Sequence, residues 1–161
     1  MKILCLTGTS PYSFRRLVEY VDLNLGKKFN VTIQKGETDY ECKNCFEFTF
    51  CDRNKILKLI SESDIIISQG GYGSMMDAIS LNKKIIAVPR MIKYNETLHD
   101  QVEHVSYLAS KNFLVPCYKI SELESLLNML ICDKISLSKY TRENQILISS
   151  IIEDYLNQIL I

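Results

Sequence analysis

The chain has 161 residues, with 19 Lys plus Arg balancing 19 Asp plus Glu. That neutrality argues against a nucleic-acid partner, or membrane attachment by a polybasic face alone. The length fits one domain that buries about 70% of its unfolded surface without staples. No run approaches the ~18 apolar residues of a membrane span. The opening MKILCLTGTSPYS is too short in its apolar core for a secretory leader. A cytoplasmic protein with reduced cysteines is the expectation.

In chain order, KILCLT (2–7) reads as a buried first strand, followed by the glycine- and hydroxyl-rich turn TGTSPYS (7–13). Ser13 is placed to cap a helix over 14–25, and NVTIQK (30–35) reads as the second strand. Cys42-x-x-Cys45, with Cys51 close behind, raises zinc. The fourth ligand is missing nearby, because Cys117 and Cys132 stand singly in apolar settings, so free thiols near a hairpin are expected. FEFTF (46–50) is the third strand, and Asp52 is a plausible N-cap for a helix over 53–62. DIIIS (64–68), a helix over 74–82, KIIAVP (84–89), a helix over 98–111, FLVP (113–116) and a helix over 121–131 follow. The closing segment YTRENQILISSIIEDYLNQILI carries an apolar stripe through Ile148, Ile152, Tyr155 and Ile159. It reads as a last helix, either packed on its own sheet or offering residues 143–161 to a partner.

Strands such as DIIIS and KIIAV are apolar on both faces, which suits a parallel sheet covered on both sides. Strand–helix alternation predicts an open α/β sheet of Rossmann type. Residues 1–135 would form the ligand-binding domain and 136–161 a helical tail.

Such sheets bind ligands at the carboxyl ends of their strands. There ISQGGYGSMMDAI (67–79) sets Gly70, Gly71 and Gly73 in the turn, with Ser74 opening the helix. Free N–H groups and the helix dipole favour an anion at that point. The Walker pattern G-x-x-x-x-G-K-[ST] is absent, and Met76 occupies the third glycine of G-x-G-x-x-G. A dinucleotide site also places its acid ~20 residues beyond the turn, whereas Asp77 follows at once. Asp77 can instead complete a near capping box with Ser74. The first turn, with Gly8 and Thr9, repeats the theme, and two such turns on one edge favour a nucleoside diphosphate over an isolated phosphate.

SQGGYGSMMDAISLNKKIIAVPR resembles the donor-binding signature of the glycosyltransferases that include the peptidoglycan N-acetylglucosaminyltransferase. With LTGTSPYSFRRLVEYVD, IQKGETDY and VPRMIKYNE, residues 1–130 are similar to the small soluble subunit of two-part UDP-sugar glycosyltransferases. That group comprises the dolichol-pathway N-acetylglucosaminyltransferase subunit and bacterial exopolysaccharide counterparts, which use UDP-glucuronate or UDP-galactose. The resemblance implies the C-terminal half of a GT-B fold that binds a UDP-sugar. A membrane-associated partner subunit would bring the lipid-linked acceptor and hold the complex at the cytosolic membrane face. It further implies that Gly70–Ser74 meet the diphosphate, that Asp77 bonds the ribose hydroxyls, that Gln101 contacts the donor sugar, and that Gly8 and Thr9 match the first turn. Asp77 is shorter than the family's usual glutamate. In many relatives histidine directly precedes the glutamine, whereas the order here is His99-Asp100-Gln101.

Departure of the diphosphate needs fixed positive groups rather than a metal in this reading, and no D-x-D stands at a strand end. Arg90, with Lys93 behind it, is the expected cation. His99 is the candidate base, although His99 and His104, five apart on the expected helix, do not share a face. A partner-borne base is the alternative. Two competing functions remain open: a non-catalytic nucleotide-sugar-binding enhancer, and, more remotely, a flavodoxin-like redox domain.

Overall fold

The computed structural model describes residues 1–141. The expected final helix therefore lies outside the described residues, as does most of the tail. Among the described residues six strands form one sheet: β1 (Lys2–Leu6), β2 (Asn30–Gln34), β3 (Phe46–Phe48), β4 (Ile65–Gln69), β5 (Lys84–Val88) and β6 (Val115–Pro116). All pairings are parallel and the order is β3-β2-β1-β4-β5-β6. The expected open parallel sheet is the one observed.

The register shows why double-sided apolar strands suit this sheet. Leu4 pairs with Thr32 on one side and Ile66 on the other. Successive side chains then alternate between layers. Ile3, Cys5, Ile65 and Ile67 face Leu17, Val18, Leu123 and Leu127, from the helices α1 (Arg15–Tyr20) and α5 (Leu123–Ile131). Leu4, Leu6, Ile66 and Ala87 face α2 (Arg53–Glu62), α3 (Tyr72–Ser80) and α4 (Val102–Ser110), which contribute Ile60, Met75, Ala78 and Val105. Each such leucine or isoleucine contributes about 1.5–3 kcal/mol when fully buried. Strand order reverses direction between β1 and β4, and this switch point opens a crevice at their carboxyl ends.

Helix boundaries depart from the sequence expectation where side chains take on other tasks. Asp52 does cap α2, accepting from Lys55 N at 2.9 Å. Ser13 does not cap α1: Phe14 precedes it without a side-chain cap, and the Phe14 N–H donates to Thr38 Oγ1 at 2.9 Å. α1 runs on into a wider π-type turn over Val21–Leu25, which carries the buried Asp22. α4 begins at Val102 rather than at 98, because Thr97 Oγ1 turns the chain by donating to His99 O at 2.9 Å. The two histidines thus do not share a helix. β6 has only two residues.

Candidate functional site at the switch point

A cavity of about 360 Å³ lies above the carboxyl ends of β1 and β4, with Gly8 and Thr9 on one wall and Gly71, Gly73 and Ser74 on another. The third wall brings Cys51 and Arg53, from the start of α2, against Asp77 of α3. Both glycine turns therefore meet across one hollow, as the sequence predicts.

Gly8 is required by geometry. Its φ is +74°, and a Cβ there would stand 1.9 Å from Gln69 Nε2. Gly70 has a different task. A Cβ at Gly70 would lie 2.7 Å from Val105 Cγ2 and 2.8 Å from Gln101 Cβ, so its glycine lets α4 pack against the turn. Gly70 is outside the cavity lining. A Cβ at Gly73 would meet nothing within 4 Å, which leaves that face of the turn open.

α3 starts earlier than the sequence indicates. Gly71 is its N-cap and Tyr72 its first residue. The first intrahelical bond runs from Met75 N to Gly71 O at 3.3 Å. Tyr72, Gly73 and Ser74 thus present the orphan N–H groups of a first turn, at the positive end of the dipole. Ser74 is inside the helix and forms no capping box with Asp77, which stands a turn further on. Asp77 Oδ1 instead accepts from Arg53 Nη2 at 2.7 Å.

Arg90 is placed beneath the cavity rather than in its wall. Its side chain is 1% exposed. Nη1 donates to Tyr12 O, Ser13 O and Glu96 O at 2.8, 3.2 and 3.1 Å, and Nη2 to Thr7 O at 2.9 Å. Nε donates to Gln69 Oε1 at 2.9 Å, and the guanidinium lies 4.5 Å from the Phe14 ring centroid. Burial lowers its pKa to about 10, partly offset by Glu96 nearby, so it stays cationic at neutral pH. Arg90 thus ties the first turn, the end of β4 and the loop after β5 together. The expected free cation for the diphosphate is not found at this position.

Gln101 also supports the wall from behind. Its Oε1 accepts from Arg90 N at 3.1 Å, while Nε2 donates to Gln69 Oε1 at 3.2 Å. His99 and Lys93 are exposed on the 91–100 loop, and neither lines the cavity. Two contributors were missed by sequence reasoning. Gln69 hid as the last residue of a strand expected to end at Ser68. Arg53 hid as an ordinary residue of a helix start, although a cation at that position runs against the dipole and was a signal to follow.

The two thiols of the C-x-x-C are directed at neighbouring carboxylates. Cys42 hydrogen-bonds Glu47 and Cys45 hydrogen-bonds Asp22, and burial followed by these carboxylates pushes both thiols up, Cys45 to about 12. All six cysteines are free. Among the described residues, no group of three or more His, Cys, Asp or Glu is placed to hold a metal ion. No helix among them is long and apolar enough to cross a membrane.

With this geometry in place, the family model for the glycosyltransferase family 28 C-terminal domain matches residues 2–155. The chain belongs to that family. No curated protein matches it by sequence. Among solved structures it is similar to a Neisseria meningitidis UDP-GlcNAc 2-epimerase bound to UDP-GlcNAc, at TM-score 0.60 and 14% identity over 94% of this chain and 44% of that one. It is also similar to a glycotransferase of kitacinnamycin, at TM-score 0.56 and 13% identity over 79% of this chain and 34% of that one. Acinetobacter baumannii MurG gives TM-score 0.52 and 15% identity, over 81% and 42%. These likenesses show the fold, that of the C-terminal half of a GT-B protein. This chain spans under half the length of each of these proteins, and an epimerase among them shows that fold alone does not choose the reaction.

Proposed function

We propose that this family 28 domain is the donor-binding half of a UDP-sugar glycosyltransferase, a hexosyltransferase active with a partner subunit. The observation that carries the reading is the pair of glycine turns facing each other across one cavity at the switch point. They are joined there by a carboxylate on the helix that starts at the second turn. A nucleoside diphosphate suits this layout. The diphosphate would lie against the first-turn N–H groups of α3, with Gly8 and Thr9 opposite, and the ribose against Asp77.

In the transfer step the acceptor oxygen bonds to the anomeric carbon as the bond to the diphosphate oxygen breaks, and UDP leaves with the electron pair. Negative charge grows on the leaving oxygens, where the orphan N–H groups of Tyr72, Gly73 and Ser74 and the α3 dipole are already oriented. The residues supply this stabilisation without calling on a metal. Gln101, behind the wall at the start of α4, would contact the donor sugar once the loop before it adjusts. The acceptor's proton needs a base, and the described residues lining the cavity include no histidine or glutamate. In this reading the base and the lipid-linked acceptor site belong to a membrane-associated partner subunit. That partner would hold the protein at the cytosolic membrane face. Exposed His99 is the alternative base, on this chain.

Binding of UDP and UDP-sugars (N-acetylglucosamine, glucuronate and galactose forms), read by calorimetry or thermal shift, tests the reading. Absence of binding by all of them would refute it. Asp77, the one carboxylate among the described residues of the lining, is given to the ribose in this reading, and that assignment equally suits a nucleotide-sugar-binding enhancer that stabilises a catalytically complete partner. Asp77→Ala in the reconstituted pair separates the two. Lost transfer with the complex intact marks a catalytic half, whereas retained transfer marks an enhancer.

A further inference from the structure

Arg53 stands at an unfavourable place for a cation. It is the first residue of α2, directly after the Asp52 cap, and no acidic residue occupies that first turn. The positive end of the dipole disfavours a guanidinium there. The Arg53 side chain is 71% exposed, so its ion pair with Asp77 contributes little to stability. Departures from local rules without a stabilising return concentrate at functional sites. Arg53 lines the cavity, and of the lysines and arginines it alone does so among the described residues.

Asp77 supplies the complementary half of the observation. Its side chain is 17% exposed, and its one hydrogen bond runs from Arg53 Nη2 to Oδ1 at 2.7 Å. Oδ2 is left to accept from a ligand. The guanidinium fixes the carboxylate through one oxygen and keeps further N–H donors beside it. A short acid and a long cation together present acceptor and donor to the same point of the wall. A vicinal diol, in which each hydroxyl both donates and accepts, fits that combination.

We infer that Arg53 and Asp77 act as one ribose-reading pair, in which Asp77 Oδ2 accepts from a ribose hydroxyl while Arg53 holds the carboxylate and donates to a ribose oxygen. Arg53 is thus a specificity-determining residue for ribonucleotide donors. This rests on the UDP-sugar reading above. Discrimination against a deoxyribose should be large, because a missing hydroxyl leaves both members short of a partner.

The test is titration of the full chain with UDP and with 2′-deoxy-UDP, for the native protein, Arg53→Ala and Arg53→Lys. The native chain should favour UDP by at least about tenfold, the scale of one charge-assisted hydrogen bond. Arg53→Ala should weaken UDP about tenfold and lower the UDP to 2′-deoxy-UDP ratio several-fold, to the part that Asp77 alone provides, with thermal stability unchanged. Arg53→Lys, a point charge without the planar fork, should recover part of the affinity and little of the ratio. Unchanged affinity and ratio in Arg53→Ala would make Arg53 a surface cation and overturn the inference. Weaker UDP binding at an unchanged ratio would place Arg53 on the phosphates and overturn it as well. A native chain that binds neither nucleotide defeats the UDP-sugar reading itself, and the pair's role with it.

Discussion

Two ionic clusters stand within one site and behave as opposites. Beneath the cavity, Arg90 is surrounded by carbonyls, and Arg16 grips the 5%-exposed Glu96 through two bonds of 2.9 Å. The guanidinia of Arg16 and Arg90 both approach the Phe14 ring, at 5.3 and 4.5 Å from its centroid. At the cavity wall, Arg53 and Asp77 share a single bond at the protein surface. In the buried cluster each guanidinium nitrogen of Arg90 and both carboxylate oxygens of Glu96 have protein partners, so these charges hold segments in place. In the exposed pair one carboxylate oxygen and several N–H donors stay open, so its charges are free to meet a ligand. On the proposed function, stability would rest on the first cluster and recognition on the second, so a substitution in each should move only one of them.

The largest effect is expected at Arg90. Arg90→Met removes donors from the carbonyls of Thr7, Tyr12 and Glu96, and leaves Gln69 Oε1 without the Nε partner. Each buried polar group left unpaired costs about 1–3 kcal/mol, so a loss of at least ~3 kcal/mol is expected from urea unfolding. A normal unfolding midpoint combined with weak UDP binding would mean that Arg90 is a donor contact after all, and the distinction between the clusters would fail. Glu96→Ala should follow closely. It leaves Arg16 with only the Pro89 carbonyl, at 3.1 Å, and removes the acceptor of the Met91 N–H, which donates to Glu96 Oε2 at 3.2 Å. A loss of about 3 kcal/mol is expected from opening that buried pair.

Asp77→Asn sharpens the distinction from the other side. The Asp77 carboxylate bonds only the 71%-exposed Arg53, and an amide can still accept that bond, so unfolding should shift by no more than about 0.5 kcal/mol. UDP affinity should fall about tenfold, since the charged acceptor for the ribose is gone. A stability loss as large as that of Glu96→Ala would show the wall pair to be structural.

Much of this layout was legible in the sequence, for identifiable reasons. DIIIS and KIIAV have no polar face, so a sheet buried on both sides followed from pattern alone. The two glycine turns declared themselves because only glycine serves where φ reaches +74°, or where a Cβ would enter Val105. Long-range side-chain placement was not legible. Arg90 follows a strand that ends in Val-Pro, and nothing local shows that Tyr12 and Ser13 bring their carbonyls to it. Ser74 resembled a cap because serine usually is one, yet Gly71 starts the helix with its backbone alone. His99 lay inside an apolar periodicity that Thr97 interrupts through its own hydroxyl.

The smallest effect on binding concerns a third carboxylate, buried like Glu96 but remote from the cavity. Burial alone would raise the Asp22 pKa, but the N–H groups of Lys43 and Asn44 and the Tyr40 hydroxyl outweigh it and hold the group below the ordinary aspartate value. A carboxylate with a depressed folded pKa stabilises above its unfolded pKa, and that contribution fades as pH falls through the folded value. Stability of the native chain should therefore decline below pH ~4, and Asp22→Asn should flatten part of that slope. At neutral pH the substitution should cost about 1–2 kcal/mol, because an amide accepts less strongly from the 43–44 backbone. UDP binding should not change, since Asp22 pins the 40–45 loop on the far side of β2 and β3 from the wall pair. An acid slope identical in Asp22→Asn and the native chain would shift that dependence to other carboxylates. Of these, Glu47 is also held low, by Cys42 and Lys35 against the opposing effect of burial.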